Sequence, residues 1–309
     1  MIISISRRTD IPAFFSEWFY NRIEDGYFMV RNPMNIHQVS KVTVTPQNAE
    51  CLVFWTKNPS FSFIENLPKL DEKGFNYYFQ FTITSYAQDI EKSVSRKTEI
   101  IEKFQKLSNQ IGKEKVIWRY DPIILNKKYN FDYHIKYFEY IAEKLSAYTE
   151  KVIISFVDCY SKIKTRLQEN EITDLTQEQM RKLGIALKQI AEKHNLKIES
   201  CSETIDFDDI GIPHGHCIDG ELINRICQRN FIFKKDKAQR KECGCVTSVD
   251  IGSYNTCRHN CAYCYATWNG IIPNSIDNSS PLLGSVLSNE DKVTERKIPV
   301  LKEHNPELF

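Results

Sequence analysis

Short apolar runs alternate with longer helical patterns along most of this 309-residue chain. That alternation limits the fold more than any other feature. Residues 1–6, 51–56, 77–84, 116–120, 152–157, 196–200 and 246–251 are rich in Val, Ile, Phe and Tyr and read as strands. Between them lie helical patterns. Residues 12–22 start on Pro12, and proline suits a first helical turn. Residues 91–111 carry Ile100, Ile101, Phe104, Leu107 and Ile111 at helical spacing. Residues 131–145 and 177–194 also repeat apolar side chains at three and four, and Thr176 with Gln179 has the spacing of a capping box. Repeated β-α units predict an α/β protein with a mainly parallel sheet, either a full or a partial TIM-like (β/α) barrel, with a doubly wound open sheet as the alternative.

No low-complexity linker divides the chain. Residues 1–201 read as the (β/α) barrel units. Residues 202–245 differ: F-D-D-I-G-I-P-H-G-H-C is loop-like and K-K-D-K-A-Q-R-K is charged, so this stretch reads as a cysteine-containing insertion. Residues 246–309 supply a final strand, a cysteine loop and a polar tail with Pro281, Pro299 and Pro306, expected to wrap the surface. Lys and Arg total 41 against 40 Asp and Glu, a net charge of +1. That balance weighs against a binder driven by phosphate contacts, although a local basic groove stays open. No stretch of 18 apolar residues exists, so no membrane span is expected. The opening M-I-I-S-I-S-R-R-T-D is too short and too quickly charged for a secretory signal, so a cytoplasmic location is expected.

In parallel α/β barrels the loops after the strands build the active site. Polar residues gather at those positions here. Arg7, Arg8, Thr9 and Asp10 follow the first run; Trp55, Thr56 and Lys57 end the second; Thr82 and Thr84 end the third. Arg119 and Asp121 end the fourth, Asp158 and Tyr160 the fifth, and Glu199, Cys201 and Glu203 the sixth. Arg7, Arg8, Asp10, Lys57, Arg119 and Asp121 are therefore the candidates for catalytic or substrate-binding roles. Arg119 and Asp121 share a strand face at period two, so a plain ion pair is the competing reading.

Ten cysteines are present, eight of them beyond residue 200. In a reducing compartment, clustered thiols point to metal ligands or catalytic groups rather than disulfides. Cys257-Arg-His-Asn-Cys261-Ala-Tyr-Cys264 has the spacing C-x3-C-x2-C. Structural zinc takes four protein ligands, and a 4Fe–4S cube can be held by four cysteines. Three thiolates would leave one iron open to a small molecule. A zinc site recruiting His259, Cys243 or Cys245 as its fourth ligand is the alternative.

C-x3-C-x2-C with an aromatic before the last cysteine is similar to the signature of radical S-adenosylmethionine enzymes. The whole chain resembles the DUF1848 family, uncharacterised bacterial proteins with such a cluster near the C-terminus. The resembling segments are I-S-R-R-T-D-I-P-A-F-F, V-F-W-T-K-N-P, W-R-Y-D-P-I, H-C-I-D and R-K-E-C-G-C-V-T-S-V-D-I-G-S-Y-N-T-C-R-H-N-C-A-Y-C-Y-A. F-W-T-K-N-P and R-Y-D-P also resemble parts of spore-photoproduct-lyase-like radical enzymes. The resemblance implies a barrel, a 4Fe–4S cluster on Cys257, Cys261 and Cys264, and Tyr263 against the adenine of S-adenosylmethionine. It implies no substrate. The motif ordinarily follows the first barrel strand, whereas here it follows the last. The expectation is a circularly permuted barrel in which residues 246–251 pair beside residues 1–6.

On this reading Glu199 and Glu203 are candidates to accept hydrogen bonds from the S-adenosylmethionine ribose or amino group. A one-electron reductant such as flavodoxin or ferredoxin is the implied partner. Cys201, Cys217, Cys243 and Cys245 could hold a second centre, a further 4Fe–4S cluster or zinc, if the insertion folds back over the sheet. Cys51, Cys159 and Cys227 read as core residues. Two other functions remain: a zinc-stabilised nucleic-acid-binding module, using the interleaved basic and aromatic residues 231–240, and a non-catalytic iron–sulfur electron-transfer protein.

Overall fold

The computed structural model describes residues 1–268, 276–297 and 301–304; Pro299 and Pro306 of the tail lie outside them. In chain order the strands are β1 (Ile2–Ile5), β2 (Tyr27–Asn32), β3 (Asn35–Thr43), β4 (Cys51–Thr56), β5 (Tyr77–Thr82), β6 (Val116–Ile123), β7 (Lys151–Phe156), β8 (Lys197–Ser200), β9 (Phe231–Ile232), β10 (Val249–Asp250), β11 (Lys292–Glu295) and β12 (Lys302–Glu303). The helices are α1 (Ile11–Phe14), α2 (Ser16–Asp25), α3 (Phe61–Glu65), α4 (Pro68–Lys73), α5 (Lys97–Ile111), α6 (Phe131–Leu145), α7 (Lys164–Glu169), α8 (Gln177–Lys193) and α9 (Gly220–Cys227). None of the described helices is long and apolar enough to cross a membrane.

Seven strands form one sheet in the order β10-β1-β4-β5-β6-β7-β8. Every neighbouring pair is parallel. The expected parallel α/β sheet is therefore present, and all seven sequence-read strands lie in it. A closed barrel is not. β8 and β10 are the two edges, and no ladder joins them among the described residues. An irregular segment runs from one edge toward the other: Ser200 N–H donates to Pro213 at 2.9 Å, Gly215 N–H to Ser200 at 2.6 Å, and Val246 N–H to Ile218 at 3.0 Å. Single bonds of this kind satisfy the edges without the register that closure needs.

Side chains alternate across each strand, and the two faces meet different partners. Ile3, Leu52, Phe54, Phe79, Trp118, Val152 and Ile198 face the helices and share one large core with Trp18, Phe19, Phe104, Phe138 and Leu187. Aromatic pairs such as Phe54–Phe79, stacked at 4.7 Å, and Trp118–Phe138, at 4.8 Å, join sheet to sheet and sheet to helix. On the opposite face Ile2, Cys51, Val53, Tyr78, Ile117 and Ile153 pack under Cys217, Ile218, Leu222, Ile223, Cys243, Cys245 and Val246. The 202–245 stretch thus covers the inner face at the strands' N-terminal half. Toward the C-terminal half, the same face turns polar.

The helix ends follow local chemistry. Thr176 and Gln179 make the capping box of α8, and Asn130 caps α6 through Tyr133 N–H. Residues 91–111 prove helical only from Lys97. Residues 12–22 divide into α1 and α2 at Phe15. The last sheet strand is Val249–Asp250, shorter than 246–251, because residues 243–246 lie on the inner face instead. The β2–β3 hairpin and β11, which pairs parallel to β3, have no counterpart in the periodic reading; much of their surface is exposed, so no alternating apolar face marks them.

Candidate metal centre

A pocket of about 380 Å³ opens at the C-terminal ends of the parallel strands, within the range of small-molecule sites. All seven strands of the sheet contribute to its lining: Ser6 to Asp10 after β1, Trp55 to Lys57 at β4, Thr82 at β5, Arg119 and Asp121 at β6, Ser155 to Asp158 at β7, Cys201 and Glu203 after β8, and Cys257, Cys261, Tyr263 and Cys264 after β10. The triplet of cysteines and the arginine-rich strand ends therefore share one cavity.

The cysteine loop is positioned from both flanks. β10 pairs beside β1, with Ile3 opposite Val249 and Ser4 opposite Asp250. Asp250 is the fastener: its carboxylate accepts from Ser4 at 3.0 Å, Ser6 at 2.5 Å and the Arg7 backbone N–H at 2.8 Å. Gly252 lets the chain pass against Ser6, since a Cβ there would lie 2.0 Å from its hydroxyl. Asp10 caps α1 through Ala13 N–H at 3.0 Å and also accepts from Lys57 N–H at 2.7 Å and from His259 Nε2 at 2.8 Å. One buried carboxylate thus ties the β1 end, the β4 end and the cysteine loop together. Asp10 is engaged on three sides, which makes it an anchor of the site. His259 gives Nε2 to that contact, and its buried Nδ1 has no hydrogen-bond partner.

The other flank is the 84–95 segment after β5. Cys261 bridges Glu91, Ala262 N–H donates to Ile90 at 2.8 Å, and Ser93 N–H donates to His259 at 3.1 Å. The Glu91 side chain is fully buried and pairs with Lys57 at 2.7 Å and with Lys97; it also accepts from Thr84 at 2.6 Å and from the Tyr263 hydroxyl. Burial alone would raise its pKa, but Lys57 and Lys97 outweigh it and hold the carboxyl far below the usual range. Arg166 of α7 donates to the Cys264 carbonyl at 2.6 Å. Burial pushes the thiols of Cys257 and Cys261 up, so ligation by thiolates there needs a cation to replace the proton. Among the described residues no group of three or more His, Cys, Asp or Glu stands in a finished ligating arrangement. The fit to a metal rests on donor chemistry: three thiols on one wall of a cavity, on a loop whose backbone is held by charged partners.

The remaining candidates divide by place. Arg7 and Arg119 lie over the Trp55 ring, at 5.5 and 5.3 Å from its centroid. Arg119 pairs with Asp121, whose other oxygen accepts from Ser155. The ion pair is real, yet both partners face the cavity. Arg8 packs over Tyr254 at 5.2 Å and donates to Gly252 at 3.3 Å. Tyr263 lies in the cavity wall with Lys57 5.8 Å from its ring centroid and Tyr86 edge-on at 5.9 Å. Glu203 lines the cavity and accepts from Phe156 N–H at 2.8 Å; burial pushes its pKa up to about 8, so it is largely protonated at neutral pH. Glu199 lies elsewhere. Its carboxylate pairs with Lys151 at 3.0 Å in a separate groove with Asp219 and Arg225. At period two from Cys201, with its side chain toward the strand's N-terminal half, it is one layer too low to reach the cysteine pocket.

Glu91, Asp250 and Arg166 were missed by the sequence reading. Asp250 carried a signal, a charge inside an apolar run, which demands a buried partner. Glu91 and Arg166 carried none, because Lys57, one of the two lysines on Glu91, is 34 residues away and the Cys264 carbonyl is 98 residues from Arg166. Cys51 is buried in the core, and Cys159 and Cys227 pack against it partly buried.

A parallel α/β sheet with a cysteine-lined cavity at its strand ends defines the class of molecule. The profile of a family described as Domain of unknown function (DUF1848) matches residues 2–266, and the chain belongs to that family. No curated protein matches it.

Proposed function

We propose that Cys257, Cys261 and Cys264 hold a 4Fe–4S cluster and that the protein is a radical S-adenosylmethionine enzyme. The observation that carries this reading is the convergence of the C-x3-C-x2-C triplet and the strand-end arginines on one cavity. When bound, such a cluster supplies one-electron reductive cleavage of S-adenosylmethionine, chemistry that belongs to the cofactor. The chain's share is to bind, orient and shield. Arg7 and Arg8 offer guanidinium groups to a carboxylate or phosphate. Tyr263 offers a ring face for adenine at the cavity wall. Asp121 offers an acceptor for ribose hydroxyls, and Glu203, neutral near pH 7, offers a hydrogen-bond donor. Lys57 points at Glu91 and shapes the wall.

The pairing of β10 with β1 supports a permuted partial (β/α) barrel, with barrel units in 1–201, a cysteine-bearing insertion in 202–245, and the last strand, cluster loop and tail in 246–309. A cytoplasmic setting and a reductant of flavodoxin or ferredoxin type follow from the same reading.

The test is anaerobic purification, reconstitution with iron and sulfide, reduction with dithionite and addition of S-adenosylmethionine. Deoxyadenosine should form, and Cys257→Ala, Cys261→Ala or Cys264→Ala should each lower it to background. A colourless protein with stoichiometric zinc and no deoxyadenosine would replace this reading with the zinc-stabilised module; a brown protein that makes no deoxyadenosine would leave electron transfer.

A further inference from the structure

In the same pocket as the triplet, the fold assembles a second set of thiols from three separate loops. Cys201 follows β8, Cys217 lies in the segment leading to α9, and Cys243 and Cys245 precede β10. All four line the same cavity as the triplet. Cys201 Sγ and Cys217 Sγ are 3.0 Å apart. Cys245 and Cys243 line the same cavity, separated only by Gly244, so the fold brings all four thiols to one pocket. Cys217, Cys243 and Cys245 are buried, over a shelf of Ile2, Val53, Tyr78, Ile117 and Ile153.

Two kinds of donor point at these sulfurs. The Arg119 guanidinium donates to Cys217 Sγ at 2.6 Å, and the Ile218 backbone N–H donates to Cys245 Sγ at 3.3 Å. N–H groups aimed at sulfur favour the thiolate and are the usual outer support of thiolate ligands. Buried neutral thiols in an apolar layer would need neither a guanidinium nor a backbone N–H aimed at sulfur. Gly244 separates the two cysteines, and a Cβ there would sit 2.2 Å from the ring of exposed His216.

We propose that Cys201, Cys217, Cys243 and Cys245 form a second, fully protein-ligated metal centre, a tetrathiolate site in the same pocket as the triplet. Four thiolates on one ion sit about 2.3 Å from it and about 3.8 Å from one another, so the Cys201–Cys217 pair at 3.0 Å would open and the other two sulfurs would close in on binding. A 4Fe–4S cube uses the same four ligands at wider spacing. The shared chemistry is four cysteine thiolates with no open position, so this centre is structural or electron-carrying, and substrate activation is left to the triplet. The proposal does not depend on the radical reading, because it concerns different ligands.

The test uses the full chain with the triplet removed, Cys257→Ala/Cys261→Ala/Cys264→Ala, purified without oxygen. Elemental analysis should find either about one zinc or about four irons with matching sulfide per chain, and the two results identify the metal. Adding Cys243→Ser and Cys245→Ser should lower that content at least tenfold. Cys159→Ser, a half-buried thiol packed on the other core, should leave it unchanged and so serves as the control for loss of a thiol. A triplet-free protein that is folded by circular dichroism yet contains no metal, before or after reconstitution, would overturn the proposal. So would a Cys201–Cys217 disulfide found by mass spectrometry in the anaerobic protein. Deoxyadenosine formation by the wild type reads the triplet alone, so failure of one reading is distinguishable from failure of the other.

Discussion

The two thiol groups face one cavity but are held by opposite means. The triplet loop is fastened by charge: Glu91 between Lys57 and Lys97, Asp10 between His259 and the Lys57 backbone, Asp250 among Ser4, Ser6 and Arg7. The quartet is fastened mainly by apolar packing, with Arg119 as its charged contact. The difference has an energetic consequence. A buried ionic network is stable only when complete, since removing one partner leaves a buried charge unpaired. An apolar shelf loses stability in proportion to the area removed and tolerates partial change. The triplet side should therefore fail abruptly and the quartet side gradually.

The largest expected effect is Glu91→Gln. It leaves two lysines facing a neutral amide and should cost about 3 to 5 kcal/mol in urea unfolding. It should also strip iron from the triplet while the quartet keeps its metal. Equal loss at both sites would break the comparison. Arg119→Gln is the mirror experiment. Asp121 loses its cation and Cys217 its donor, at a cost of about 2 to 3 kcal/mol, reduced because the Asp121 side chain is 20% exposed. Quartet metal should fall with deoxyadenosine changed less, and the reverse pattern would show that Arg119 serves the triplet side instead.

A pH experiment sharpens the same contrast. His134 lies against Tyr86 and Tyr120, behind Tyr263, with Nδ1 sharing a hydrogen bond with the Tyr120 hydroxyl at 2.8 Å. Burial lowers its pKa from 6.5 to about 4. A depressed histidine contributes stability that is complete above its unfolded value and lost as pH falls toward the folded one. The urea midpoint should therefore drop between pH 6.5 and pH 4, and His134→Gln should flatten that slope. An unchanged slope in the variant would assign the acid sensitivity elsewhere.

The smallest effects compare two glycines. Gly252→Ala pushes a methyl onto buried Ser6, already bonded to Asp250, and should cost about 1 to 3 kcal/mol. Gly244→Ala meets the ring of exposed His216, which can swing away, so the cost should stay below about 1 kcal/mol. Thermal unfolding of the pair measures the difference, and equal values would show that the quartet turn is as tightly packed as the triplet turn.

Much of this molecule was legible residue by residue. The runs at 51–56 and 131–145 coincide with β4 and α6, and the Thr176 capping box forms as its spacing required. Each depends on interactions within a few residues, which sequence periodicity reports directly. The hairpin of β2 and β3 was not legible, because its faces are only partly buried. At the site, Arg7, Asp10, Lys57, Arg119, Asp121 and Glu203 were found from strand ends, since a parallel sheet delivers those ends to one side. Glu199 was assigned to the same site although it lies one layer lower on its strand, paired with Lys151, and Glu91 was assigned to a helix that begins six residues later.

The sequence by itself determined the β-α order, the parallel sheet and the contiguous cysteine triplet, because period, strand length and ligand spacing are local properties. The last strand lies beside the first as the sequence reading expected; only the tertiary structure decided that the sheet stays open and that Cys201, Cys217, Cys243 and Cys245 line one pocket. Those outcomes depend on which edge satisfies which backbone groups and on which apolar layer the 202–245 stretch covers. Both are settled by contacts between residues tens to hundreds of positions apart, where periodicity carries no information.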